Sequence, residues 1–153
     1  MKKGFTLIEL IVSIGILGLV VVAAVNLFFS TMKSSKKTDN LLALRQNGDY
    51  VLNTIKSRVY NADMVVCLGN NLAVTREDEP IANFTFSSDT LKMNGADLID
   101  SGRFKVSDGS FECLPNPPNP NDLSQVNIGF KLEMKDGSGE KQSFQADIFL
   151  RDY

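Results

Sequence analysis

The chain has 153 residues, one ordinary domain in length, with 43% hydrophobic and 22% charged residues. It is therefore neither a disordered chain nor a multi-span membrane protein. Its 16 Lys+Arg against 18 Asp+Glu leave a net charge of −2, which argues against nucleic-acid binding through a general basic field. There is no His, and only 2 Cys. That removes Ser-His-Asp and Cys-His catalysis, a His general base, His-containing zinc sites and all-cysteine zinc sites.

The first element is an apolar run from Phe5 to Phe29, FTLIELIVSIGILGLVVVAAVNLFF, whose one ionisable side chain is Glu9. Lys2 and Lys3 precede it and STMKSSKKTDN follows it. About 20 apolar residues cross a bilayer as a helix. Removing Lys2, Lys3 and Glu9 leaves 14 Lys+Arg against 17 Asp+Glu in the polar remainder. Four readings of the run compete. A cleaved secretory signal has the charged start but wants a shorter core and a small-residue exit, and Asn26-Leu27-Phe28-Phe29 is a poor one. A buried core helix needs a larger protein around it. A plain signal anchor fits the length but gives no reason for Glu9, since a carboxylate at the centre of a membrane helix costs about 2.5–3.5 kcal/mol. The fourth reading makes Glu9 a functional group. Its competitor is a Glu near enough to the interface to snorkel.

The run Lys2-Lys3-Gly4-Phe5-Thr6-Leu7-Ile8-Glu9 resembles the class III leader of type IV pilins and pseudopilins. These are the subunits of type IV pili, type II secretion systems and DNA-uptake filaments. The resemblance is close over the first 29 or so residues. It implies a cut by prepilin peptidase between Gly4 and Phe5, and methylation of the new Phe5 amino group by the same enzyme. It also implies that Glu9 is the family's acidic residue near the mature start, pairing with the amine of a neighbouring subunit. Physics makes sense of these assignments. Gly4 lets an enzyme approach the backbone. Lys2 and Lys3 hold their end in the cytoplasm by the positive-inside rule. A lone buried charge is costly where a pair is tolerable, so such a pair sets register more than it adds stability. Many major pilins have a proline inside the apolar helix. Here the first is Pro80, and Gly15 and Gly18 are the weak points of the helix.

Past the apolar run, Leu41, Leu44, Gly48, Val51/Leu52, Ile55 and Val59 recur at spacings of three and four. They form the apolar face of an amphipathic helix. One helix is expected from Phe5 to Asn61, with fraying near Ser34–Asn40. After Asn61 the period becomes two. Phe84/Phe86 and Leu91/Met93 flank a turn at Ser87-Ser88-Asp89. Phe104/Val106 and Phe111/Cys113 flank another at Ser107-Asp108-Gly109-Ser110. Val126, Ile128, Phe130, Leu132 and Met134 alternate without a break, and Phe144, Ala146, Ile148 and Leu150 follow Asp136-Gly137-Ser138-Gly139. These are hairpin signatures with one apolar face each. Leu114–Asp122 holds four of the 5 prolines and reads as an extended surface connection.

The expected fold is α+β and, by the resemblance, type IV pilin-like. One long N-terminal helix, hydrophobic in its first half, packs its second half on an antiparallel sheet. The expected organisation is a leader at 1–4, a transmembrane or filament-core helix at 5–29, its amphipathic continuation at 30–62, and an extracytoplasmic β-sheet part at 63–153.

Cys67 and Cys113 are an even pair beyond the membrane segment, and an oxidising exterior favours their pairing. Two buried free thiols remain the other reading. A bridge would stabilise the fold by roughly 3–4 kcal/mol in the chain-entropy model. The acidic groups Glu77-Asp78-Glu79 and Asp136–Glu140 read as solvated turns rather than a calcium site, because the Asp-x-Asp-x-Asp spacing is absent. No metal and no cofactor is expected. Lys33, Lys36 and Lys37 read first as a solvated helix face and second as a contact for lipid headgroups; DNA is not expected as a partner. Three function classes follow: a structural filament subunit, a filament-displayed adhesin or DNA-uptake pilin, and a membrane-anchored extracytoplasmic enzyme. The leader and the missing His favour the first and make catalysis unexpected. The expected partners are prepilin peptidase, other pilin or pseudopilin subunits, and the bacterial cytoplasmic membrane, crossed once with the N-terminus inside. The order of strands and the Pro-rich stretch resemble those of J-type minor pseudopilins and W-type minor pilins.

Overall fold

In the computed structural model, residues 6–77, 79–116 and 119–150 are described; for 115, 116 and 119–124 this covers the backbone alone. The chain divides into two compact units, with the boundary between Asp39 and Asn40.

Helix α1 runs Leu7–Tyr60, 54 residues. It continues unbroken through Ser34–Asn40, where fraying was expected. Nothing in that stretch is Pro or Gly, so no local cause interrupts the backbone ladder. Its C-terminus has Arg58 in the last turn, which suits the negative end of the helix dipole. Asn61 Nδ2 donates to the Ser57 carbonyl at 2.7 Å, satisfying one orphan acceptor.

In the second unit α1 buries Asn40, Leu44, Gly48, Val51, Ile55 and Val59, a strict three-four stripe. Leu41, expected on this face, is 38% exposed, and Asn40 takes the inward position instead. The residue one place earlier lies about 100° round the helix, and that row continues the line of Leu44 and Gly48.

Among the described residues eight strands follow, in two sheets rather than the single expected sheet. The first is an antiparallel meander of β1 (Met64–Leu68), β2 (Asn71–Arg76), β3 (Glu79–Ser87), β4 (Thr90–Met93) and β5 (Ala96–Asp97). The second contains β6 (Phe104–Asn116), β7 (Asn119–Met134) and β8 (Lys141–Phe149). The expected β3–β4 hairpin is present, closing at Ser87↔Thr90. The alternating residues of β7, Val126 through Met134, are all buried, and β8 pairs along them from Glu133↔Lys141 to Gln125↔Phe149.

Two expected connections are corrected. Ser107–Ser110 is not a turn. β6 continues through it, and the register shifts there by a bulge. Val106 faces Leu132 and Phe111 faces Ile128, so five steps on β6 match four on β7. The apolar parity on β6 changes from even to odd for that reason, and a bulge restores the inward face. Asp108 sits there at φ 53. The Pro-rich stretch is likewise not simply a surface connection, since β6 and β7 remain paired through Pro115↔Leu123 and Asn116↔Asn119. Pro117 and Pro118 lie outside the described residues.

An aromatic row crosses the core. Phe111 of β6 stacks on Phe86 of β3 at 4.6 Å between ring centroids. Phe86 approaches Phe130 of β7 at 6.0 Å, and Phe130 stacks on Phe144 of β8 at 5.3 Å. Gly48 of α1 closes the row, because a Cβ there would run into the Phe144 ring. A Cβ at Gly109 would likewise meet Phe86. Phe86 and the Cys67–Cys113 disulfide, with Cα atoms 5.7 Å apart, both join the first sheet to the second.

Candidate functional site

The N-terminus of α1 is built by Thr6 and Glu9. Glu9 N donates to Thr6 Oγ1 at 3.3 Å, and Thr6 N donates to Glu9 Oε2 at 3.3 Å. The Thr6 hydroxyl also donates to Glu9 Oε2 at 3.3 Å. This reciprocal pattern is a capping box, in which side chains three residues apart satisfy donors that the helix itself cannot. The acid also suits the positive end of the helix dipole. The sequence reading singled out Glu9 and missed this role, although Thr-x-x-Glu before an apolar run is its signature.

Beyond the cap, the large apolar side chains from Leu7 to Met32 are between 45% and 77% exposed. The most apolar window of α1 has a mean hydropathy of 2.7 and no buried residue. Isolated exposed apolar residues are ordinary, but a continuous surface of this kind requires a lipid or protein cover. Ser13 donates its hydroxyl back to the Glu9 carbonyl at 2.7 Å, and Thr31 does the same to Leu27 at 2.9 Å. Both hydroxyls are thus satisfied within the helix. The leader residues Lys2, Lys3 and Gly4, and Phe5 after them, lie outside the described residues.

Residues 1–25 match the family described as the prokaryotic N-terminal methylation motif. The chain carries the class III signal of type IV pilins. The motif and the α+β architecture together give a pilin-like protein, a long helix with antiparallel sheets against it. The motif supports a pilin-like substrate of prepilin peptidase. No curated protein and no solved structure matches the chain.

The remaining candidates lie in the polar part. Cys67 of β1 and Cys113 of β6 are bonded to each other. Among the described residues, no three His, Cys, Asp or Glu side chains gather as a metal site. Asp78 of the first acidic group lies outside the described residues. In the second, the Asp136–Glu140 loop is engaged from the helix. Asn40 Nδ2 is 3.1 Å from Asp136 Oδ2, 3.4 Å from Ser138 Oγ and 3.4 Å from Glu140 Oε2. Hydrogen bonds from Ser138 and Asn40 hold the Glu140 carboxyl below its ordinary pKa. At the β6 bulge, Lys131 Nζ donates to Asp108 Oδ2 at 2.6 Å, and this bond and charge hold Asp108 low as well. Both groups tie loop or strand to its neighbours.

Proposed function

We propose that this pilin-like chain is a minor structural subunit of a type IV pilus or a type II secretion-like pseudopilus. Prepilin peptidase cuts it between Gly4 and Phe5 and methylates Phe5. The subunit waits in the bacterial cytoplasmic membrane as a single-pass protein, with its N-terminus in the cytoplasm and residues 63–153 outside. It then enters a filament through the helix from Phe5. The observation that carries this reading is the methylation motif at residues 1–25, set on a helix whose most apolar window has no buried residue among the described ones. The minor role rests on the likeness of its strand order to J-type and W-type subunits.

The assembly role of Glu9 follows from charge. In the membrane the Phe5 amine is solvated at the boundary. Extraction into an apolar filament core removes that water, and the carboxylate of an adjacent subunit replaces it. The capping box gives the test its discrimination. Glu9→Gln keeps the capping geometry, because Gln serves at that position as Glu does, and deletes the charge. Glu9→Val deletes both. The protein is produced beside its peptidase, and sheared-filament and membrane fractions are compared. Mass spectrometry should find a chain beginning at N-methyl-Phe5. Incorporation should fall equally for Gln and Val while membrane insertion persists. An intact Met1 terminus would refute the processing, and wild-type incorporation of Glu9→Gln would reduce Glu9 to a helix cap.

A further inference from the structure

We infer that Lys33, Lys36 and Lys37 form a docking collar for the phosphates of anionic phospholipids, in the leaflet where α1 leaves the membrane. The inference rests on the reading of the apolar helix as membrane-crossing, and it adds a lipid partner to that reading.

Helix geometry places the collar. Phe29, Lys33 and Lys37 are four residues apart and form one row of α1, while Met32 and Lys36 form the adjacent row. Each row changes from apolar to cationic within one turn. Phe29 is 65% exposed and Met32 56%, and the three lysines are exposed as well. Counting about 20 residues of hydrocarbon from Leu7 puts its far edge near Asn26. Lys33 then lies about 10 Å beyond. Helical side chains lean back toward the N-terminus, and a lysine stem lies along apolar surface while its ammonium seeks polar partners. Lys33 thereby reaches the phosphate layer, and Lys36 and Lys37 its outer margin.

The arrangement carries a cost that such a layer offsets. Lys33 has like charges both three and four positions on, an arrangement that weakens a helix. Neither Lys33 nor Lys37 has a carboxylate three or four residues away in sequence. Lysines on the outer side also oppose the positive-inside tendency. An anionic surface attracts nearby lysines by about fivefold in affinity each, an effect that salt screens. The competing occupant is an acidic face of a neighbouring subunit. The lipid is favoured by position, because Lys33 and Lys36 follow the exposed apolar Phe29 and Met32 by one turn in their rows.

The test uses the full chain in vesicles of phosphatidylcholine with one-third phosphatidylglycerol, and spin-labelled analogues of each lipid. The fraction of motionally restricted label gives the relative association of the two lipids with the protein. Wild type should prefer phosphatidylglycerol by about fivefold or more at low salt. That preference should shrink at about 0.5 M salt. The Lys33→Gln/Lys36→Gln/Lys37→Gln variant should lose most of the preference, and Lys2→Gln/Lys3→Gln should lose less of it than the triple variant. Parity in wild type, or an unchanged preference in the triple variant, overturns the collar. So does a triple variant that loses filament incorporation while its lipid preference stays intact, which assigns the lysines to a neighbouring subunit. An alkaline wash separates the two levels of the argument. A chain released by the wash defeats the membrane reading itself, whereas a retained chain without lipid preference defeats the collar alone.

Discussion

Helix α1 contains two regions made by one backbone ladder and governed by opposite rules of burial. From Leu7 to Met32 its large apolar side chains face outward all round. From Asn40 to Val59 one stripe is buried, and the rest is half-buried or exposed. Both regions have glycines, and these show the difference most clearly. A Cβ at Gly15 or Gly18 meets nothing, whereas one at Gly48 meets the Phe144 ring. In the first region a glycine is only a lapse in helix propensity. In the second it is a fitted part of the core, because interiors pack at crystal-like density. Among the described residues nothing buries the first region, and the second brings its own cover.

The largest expected effect tests the self-covered region. Replacing Cys67 and Cys113 by Ser should lower the unfolding free energy by roughly 3–4 kcal/mol, measured by urea denaturation of the polar part with and without reductant. Reductant should shift the wild-type midpoint and leave the variant unchanged. The alternating β7 residues should still give a β-sheet circular dichroism signal, since their burial does not depend on the bridge.

One substitution made in both regions sharpens the contrast. Gly48→Ala should destabilise by about 1–3 kcal/mol through overpacking against Phe144. Gly15→Ala should instead favour the helix by up to about 1 kcal/mol. Denaturation of the polar part reads the first, and helicity in detergent reads the second. Equal effects at the two sites would remove the distinction.

The smallest effects are polar. Asn40→Ala should cost about 1–2 kcal/mol, because it removes a buried amide that serves the Asp136–Glu140 loop. Acid should weaken the same unit. Asp108 and Glu140 both have folded-state pKa values lowered from their ordinary values, chiefly by hydrogen bonds from Lys131 and from Ser138. Their contribution is therefore complete above those ordinary values and is lost as the pH falls through them toward the lowered ones. The urea midpoint should drop as the pH falls below about 5. Asp108→Asn/Glu140→Gln should reduce that drop.

Several of these features were visible in the chain itself. The spacing of Leu44, Gly48, Val51, Ile55 and Val59 announced a buried helical face. The alternation from Val126 to Met134 announced the central strand of the second sheet. Local periodicity needs only neighbouring residues to be informative. Other local signals were present and not used: Thr6-x-x-Glu9 for the helix cap, and Asn94-Gly95, both at positive φ, for the β4–β5 turn.

The sequence by itself determined a long apolar segment behind two lysines, the positions of the main inward-facing residues, and the even cysteine pair. These follow from order along one chain. Tertiary structure alone decided the division into two sheets, the bulge that turns Ser107–Ser110 into strand, and the inward turn of Asn40 in place of Leu41. It also matched Gly48 to Phe144, residues far apart in sequence. Each of these depends on which strand lies beside which, and on what shape the opposite surface presents. Local propensity does not encode that, because the energy of close packing belongs to the pair of surfaces and not to either one.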